Sequence, residues 1–351
     1  MEIVEAKVAV HFSFGRHTYF DVPLLPQIRQ QAEEFWGPVG TNRNVYWKED
    51  LGASETLMRR FRNLTAEGIG LLDAYIQADH LTNPSVRRRL EPEELANARR
   101  FLLLSDGSTG DSETDSQVAQ AVFLRREYLM LDDIGKTRPF ILIPETCPDP
   151  VAKTRIKQSE ELSQKLRSIR TILRQGSIPS QALRSYRESV IQNIANSSRE
   201  RNVACLDTLV GLVREGQKAN QGTRIFVRIG EVHFPLVERL GERLRKASLE
   251  AAVTHTYDYG ELGLLPENKL VAALEANPKA TFSRDEWISA LIGETIEDHL
   301  TNARRPRPEV VRNVKRTLDS STPEELESLV ASFPKDGMEN AIGRFTASKI
   351  F

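Results

Sequence analysis

The segment Gly230-Glu231-Val232-His233 carries the clearest chemical signal in the sequence. It directly follows the apolar, β-branched run at residues 224–229, which predicts a strand. A glycine after a strand permits a sharp turn, and a histidine a few residues later is then held at the end of that strand. Imidazole can transfer protons near neutral pH or ligate a metal. The motif therefore predicts a functional site at Glu231 and His233.

Two further groups follow predicted strands in the same manner. Gly15-Arg16-His17 comes after the alternating segment 7–14, and both histidine loops lead through Pro-Leu into a helix. Glu145 ends the apolar run 138–145, which suits a strand buried on both faces of a parallel sheet. Ligands of open α/β sheets bind at the carboxyl ends of the strands. We therefore expect His17 and Glu145 to join His233 in one cleft.

These residue types suit metal-dependent hydrolysis. Two imidazoles and a carboxylate, from His17, His233 and Glu145, could ligate Zn²⁺, Mn²⁺ or a similar divalent ion. Such an ion lowers the pKa of its bound water, and Glu231 or Glu145 could act as the general base. Arg201 is the candidate anion clamp, because its planar guanidinium is permanently charged. We place Arg201 at a helix start, where acids are normally preferred, and this placement favours a functional role.

The elements that position these residues predict an α/β fold. At 351 residues the chain exceeds one ordinary core. We expect a mostly parallel sheet flanked by helices over residues 1–264, with a helical insertion at about 40–136. The stretch 105–116 is nearly free of apolar side chains and predicts a mobile loop, more often a passive linker than a lid. Residues 265–351 predict a helical C-terminal subdomain.

Composition excludes several classes of protein. The 48 basic and 49 acidic residues nearly cancel, so no overall field attracts nucleic acid or an anionic membrane. The two cysteines, Cys147 and Cys205, have no zinc-knuckle spacing and cannot form a disulfide framework. The start of the chain does not resemble a signal peptide, and no run of apolar residues is long enough for a membrane helix. We expect a cytoplasmic protein that does not bind membranes.

Several well-known motifs are absent from the sequence. It contains no Walker loop, Gly-x-Gly-x-x-Gly, Gly-x-Ser-x-Gly or His-Glu-x-x-His. Phosphate binding by a P-loop, dinucleotide binding, a serine-hydrolase elbow and zincin proteolysis therefore have no support from the sequence.

The order of elements around the second histidine resembles the TraB/ChaN/Tiki superfamily, which includes erythromycin-esterase-like proteins. Glu200-Arg201-Asn202 opens an amphipathic helix at 203–214, and the strand at 225–229 then leads into Gly230-Glu-Val-His233. Members of the superfamily carry paired Gly-x-x-His motifs, a glutamate and an arginine. On this resemblance Arg201 matches the motif arginine, and Gly230 and His233 match the second motif.

The resemblance is weaker near the start of the chain. Gly15 and His17 are separated by one residue, where the superfamily has two, and the long interval from His17 to Glu145 requires a helical insertion. The similarity covers residues 200–256 and a short segment at the start. It implies a metal-dependent hydrolase, and ChaN-like members would permit haem in the same histidine cleft.

We therefore predict a hydrolase that acts on an ester, amide or peptide bond of a small-molecule or peptide substrate. The alternative is a binding protein, because residues 151–220 contain 13 basic and 6 acidic side chains. These helices could bind an acidic partner or nucleic acid. Tyr186 is the only aromatic residue there, so base stacking is not favoured and a solvated helix face is the ordinary explanation. For His233 itself the simpler alternative is a structural hydrogen bond, and we assign structural roles to His11 and His255.

Overall fold

The computed structural model describes residues 6–15, 24–49, 53–83, 85–86, 88–104, 126–257, 264–302 and 308–350. The strands are β1 Val8–Gly15, β2 Asn42–Lys48, β3 Ile141–Pro144, β4 Gly222–Gly230 and β5 Ala252–Tyr257. The helices before β4 are α1 Leu25–Trp36, α2 Glu55–Ala66, α3 Leu71–Thr82, α4 Pro92–Leu104, α5 at 126–135, α6 Asp149–Leu173, α7 Ser180–Tyr186, a π-helix Arg187–Ile191 and α8 Gln192–Lys218. After β4 come a 3-10 turn Glu231–His233, α9 Leu236–Lys246, α10 Pro266–Ala276, α11 Arg284–Asn302, α12 Pro308–Asp319, α13 Pro323–Asp336 and α14 Met338–Ile350.

The five strands form one parallel sheet in the order β3-β2-β4-β1-β5. All eight residues of β1 are buried, as are seven of the nine residues of β4. Such near-continuous burial is typical of strands covered on both faces. The predicted α/β class with a mostly parallel sheet is therefore confirmed.

Two local predictions were wrong. The predicted helical insertion begins at about residue 40, but residues 42–48 form β2, and the helices begin only at Glu55. β2 was not predicted because it begins with three polar residues, Asn42-Arg43-Asn44. Its buried residues Val45-Tyr46-Trp47 are too few to form a recognisable apolar run. β3 was expected to be buried on both faces, but it is the edge strand and Ile141 is 42% exposed.

The chain forms two compact units. The first consists of Met1–Gln158, Val210–Ile229 and Leu244–Asp258, and it contains the sheet. Its core includes a stack of rings in which Phe226 lies 5.4 Å from Tyr46 and 5.5 Å from His11 between ring centroids. These side chains share one face of neighbouring strands, so their packing also maintains the strand register. The expected mobile loop at 105–116 lies outside the described residues.

The second unit consists of Ser159–Leu209, Gly230–Arg243 and Tyr259–Phe351. It thus takes in more of the chain than the predicted C-terminal subdomain. Its described residues are helical apart from short connections, and α13 begins at a capping box in which the Thr322 and Glu325 side chains cap each other's backbone N–H. Ser283 and Glu286 exchange the same two bonds before α11. The sequence spacing predicts both caps.

A fully enclosed ion pair joins β2 to α5 in the first unit. Lys48 Nζ lies 2.9 Å from Glu127 Oε2, and neither side chain is exposed. Tyr46 donates from its hydroxyl to Glu127 Oε1 at 2.8 Å, and the Tyr128 ring lies under Lys48 Nζ at 4.1 Å. Removing two charges from water costs several kcal/mol each, so each charge depends on its partner.

Replacing Lys48 by Met should therefore destabilise the protein by about 3–5 kcal/mol, because it leaves the Glu127 carboxylate buried without its counter-ion. The double variant Lys48→Met/Glu127→Gln should recover part of that loss. Urea unfolding measures both. Lys136→Met, which removes the exposed pair with Asp133, is the control and should change stability by less than about 0.5 kcal/mol. A loss below about 1 kcal/mol for Lys48→Met would contradict the account.

His11 is held neutral inside the same unit. Its Nδ1 lies 2.9 Å from Thr254 Oγ1 and its Nε2 lies 3.1 Å from Thr256 Oγ1, while its ring stacks between Phe35 and Phe226. Burial, followed by repulsion from His255, lowers the pKa of His11 from 6.5 to about 4. These contacts agree with the structural role predicted for His11.

The lowered pKa predicts a specific dependence of stability on pH. The unfolded chain takes up a proton at His11 below pH 6.5, whereas the folded protein resists protonation down to about pH 4. Stability should thus be complete above pH 6.5 and fall as the pH falls towards 4, by on the order of 3 kcal/mol in total. His11→Phe should flatten this slope in urea unfolding between pH 6.5 and 4.5, and the control His80→Gln should retain it. An unchanged slope in His11→Phe would refute the assignment.

Candidate functional site

The Gly-Glu-Val-His motif forms a single 3-10 turn between β4 and α9 in the sequence. Phe234 donates its backbone N–H to the Glu231 carbonyl at 3.1 Å and closes the turn. Gly230 has φ −66° and ψ 149°, a conformation open to any residue, so the predicted sharp glycine turn is not formed there. Both Glu231 and His233 are buried, and both belong to the second unit.

His233 is oriented by α8. Its Nδ1 lies 2.5 Å from Asn202 Oδ1 and 3.2 Å from Ser198 Oγ. The two partners are four residues apart and therefore share one face of the helix. A carboxamide oxygen can only accept a hydrogen bond, so His233 Nδ1 carries the proton and donates it. In the neutral imidazole Nε2 then holds the lone pair, which is the atom that can take a proton or ligate a metal.

Glu231 is oriented by α10. Asn268 donates from Nδ2 to Glu231 Oε2 at 3.0 Å, and both side chains are buried. Asn268 lies in the first turn of α10, which packs against the 3-10 turn. An amide donor favours the charged carboxylate without adding a second charge.

A π-helix, Arg187–Ile191, packs against α10 in the second unit. Tyr186 precedes it, is fully buried and donates from its hydroxyl to Glu294 Oε2 at 2.7 Å. Burial, then the negative charges of Glu294 and Glu267, raise the pKa of Tyr186 well above 10, against the opposing charge of Arg170. Single π-helical turns within α-helices are frequent at functional sites.

Arg201 is buried in the second unit, 5% exposed, next to Asn202 on α8. Because α8 begins at Gln192, Arg201 lies in the helix interior and not at its start. The electrostatic argument for a function of Arg201 was therefore wrong. What remains in favour of a role is the burial of a permanently charged side chain on the helix that also carries both partners of His233.

The structure thus brings three of the predicted site residues, Arg201, Glu231 and His233, into one unit. We call these three residues and the hydrogen-bonding partners of His233 and Glu231 the second-unit polar cluster: Ser198, Arg201, Asn202, Glu231, His233 and Asn268. Three of these were not predicted. The i, i+4 pair of Ser198 and Asn202 on a helix was the one signal available in the sequence for an orienting partner of a histidine.

Glu145 belongs to the first unit. It follows β3 as predicted, its backbone N–H donates to the Lys48 carbonyl at 2.7 Å, and its carboxylate lies 3.3 Å from Arg155 Nη1. Two buried cations at the carboxyl ends of neighbouring strands, Lys48 on β2 and Arg228 on β4, were not predicted. Arg228 donates to the Ser13 carbonyl and hydroxyl, each at 3.3 Å.

The predicted metal set was His17, His233 and Glu145. His17 lies outside the described residues. Within the described part of the chain, no three His, Cys, Asp or Glu side chains are grouped so that they could hold a metal ion. The described residues therefore do not form a metal centre by themselves. The predicted metal set of His17, His233 and Glu145 stays a prediction.

Several cations of the predicted basic stretch are used inside the protein. Arg155 pairs with Glu145, and Arg201 is buried. Arg199 donates to the backbone carbonyls of Leu274 and Glu275 at 2.6 and 3.0 Å. These three guanidinium groups contribute little to a surface for nucleic acid or an acidic partner. Among the described helices, none combines the length and apolar character needed to cross a membrane.

Comparison with known proteins found no relative of this chain. No family model, no curated protein and no solved structure matches the chain. The resemblance to the TraB/ChaN/Tiki superfamily stays a prediction.

Proposed function

We propose that the chain is a hydrolase of an ester, amide or peptide bond in a small-molecule or peptide substrate, with His233 as its proton-transferring group. The observation that supports this proposal best is the hydrogen bond from His233 Nδ1 to Asn202 Oδ1. A third group that orients the imidazole and selects its tautomer is a recurring feature of hydrolases that use histidine as a general base.

In the proposed reaction a water molecule attacks the carbonyl carbon of the substrate while His233 Nε2 accepts its proton. The carbon–oxygen bond that forms gives a tetrahedral oxyanion. The imidazolium then returns the proton to the leaving oxygen or nitrogen as the bond to the carbonyl carbon breaks. Asn202 Oδ1 accepts the hydrogen bond from Nδ1–H throughout, so the ring is held in one orientation.

Arg201 and Glu231 have different tasks in this proposal. The guanidinium of Arg201 stabilises the oxyanion, a role for which a fixed charge in a site without bulk water is effective. Glu231, held by Asn268, positions the attacking water through its carboxylate. His233 has no exposed surface, which strengthens electrostatic interactions inside the cluster and requires the cluster to open for substrate entry.

The first test replaces His233 by Gln, which retains a polar group of similar length. Chromogenic ester and amide substrates and a peptide library are assayed with the wild-type protein and the variant. We expect the variant to lose about 10²-fold or more in kcat, the usual contribution of a general base. His255→Gln, an exposed histidine on β5, is the control and should retain activity. Equal activity in wild type and His233→Gln, with both folded by circular dichroism, would contradict the proposal.

The second test uses the pH dependence of kcat/KM. Asn202→Asp replaces a neutral acceptor by a carboxylate beside His233 Nδ1, which stabilises positive charge on the ring. The acid limb of the pH–rate profile should then move to higher pH by about one unit or more. An unmoved limb would show that His233 does not set it and would contradict the proposal.

A further inference from the structure

We infer that a groove beside the edge strand β3 in the first unit binds a small amphipathic carboxylate, an apolar chain that ends in a carboxylate group. This inference does not depend on the proposed hydrolase. The groove has a volume of about 670 Å³ and lies between α2, the start of α3, α5 and residues 139–142. This volume falls within the range of small-molecule sites, about 300–1,000 Å³.

One part of the groove wall is apolar and incompletely buried. Leu71, Leu129, Phe140 and Leu142 line it, and each retains part of its surface in solvent. β3 has a neighbouring strand on one side only, which is why residues next to it remain uncovered. An apolar ligand would remove this surface from water, the main source of affinity in such sites.

The acidic groups of the groove already have partners within the protein. Both oxygens of Asp132 accept backbone N–H groups at the start of α3, from Leu71 at 2.5 Å and from Leu72 at 3.1 Å. Asp132 is therefore committed to a helix N-terminus. Among the lining residues three basic side chains, Arg62, Arg99 and Lys136, outnumber two acidic ones, Asp73 and Asp132, and this excess favours an anionic ligand over a cationic one.

The basic groups leave positive charge at the groove. Arg62 donates from Nε to the Met58 carbonyl at 3.2 Å, and in the described part of the chain no carboxylate forms an ion pair with it. Lys136 pairs only with Asp133, at the surface, with its side chain 72% exposed. Such an exposed pair contributes little, so both cations are available. A carboxylate matches the planar donors of Arg62.

The test measures binding of octanoate to the full-length protein by isothermal titration calorimetry at constant ionic strength. Octylammonium and 1-octanol serve as ligands with the same chain and a different head group. We expect saturable binding of one octanoate per chain, with at least tenfold weaker binding of the other two ligands. Absence of octanoate binding at about millimolar concentration, or equal binding of octylammonium, would overturn the inference.

Two variants localise the site. A Cβ atom at Gly135 would lie 3.7 Å from Phe140 Cε1, an ordinary contact, so Gly135→Met can place its side chain in the groove without a backbone clash. This variant should abolish octanoate binding, and Arg62→Gln should weaken it at least tenfold. Arg59→Gln, an exposed arginine on the same helix outside the groove, is the matched control. Unchanged binding in Gly135→Met would contradict the location.

The hydrolase variant separates the two proposals. His233→Gln alters the second unit and should bind octanoate with the affinity of the wild-type protein. Loss of octanoate binding in a folded His233→Gln protein would contradict the independence of the groove, whereas loss of hydrolysis alone concerns only the proposed enzyme.

Discussion

The burial of charged and polar side chains is the constraint on which both units depend. A buried charge is tolerated only beside a partner, because water can no longer solvate it. In the first unit Lys48 meets Glu127 without exposure of either side chain. In the second unit Asn202 forms a hydrogen bond with His233, and Asn268 forms one with Glu231. In both cases a neutral amide orients the group: the Asn268 donor favours the carboxylate form of Glu231, whereas the Asn202 oxygen can accept from His233 Nδ1 in either charge state of the ring.

This difference between the units bears on function. The Lys48–Glu127 pair is a contact between opposite charges, both buried, in which each charge stabilises the other. The His233–Asn202 pair persists whether the imidazole is neutral or protonated, because Nδ1 donates in both states. The general base that we propose requires a hydrogen bond that holds the ring in either state, and a structural histidine does not.

The sequence predicted the fold more completely than the site. The apolar alternation of β1 and β4 and the caps of the C-terminal helices are local signals, and the structure contains them. β2 was missed because its first three residues are polar, although its other residues are buried. The partners of His233 and Glu231 lie 31 and 37 residues away along the chain. Tertiary packing decides which helix faces meet across such intervals. These contacts therefore cannot be predicted from the local patterns of a single sequence.

The most direct test of the central claim is the tautomer of His233, observed by long-range ¹H–¹⁵N NMR of protein labelled at histidine nitrogen. The hydrogen bond to Asn202 predicts that, in the neutral ring, Nδ1 carries the proton and Nε2 shows the shift of an unprotonated nitrogen. Comparison with His233→Gln assigns the signals. A neutral ring protonated at Nε2 would contradict the account, because the lone pair would then face the amide and the proposed base would be absent.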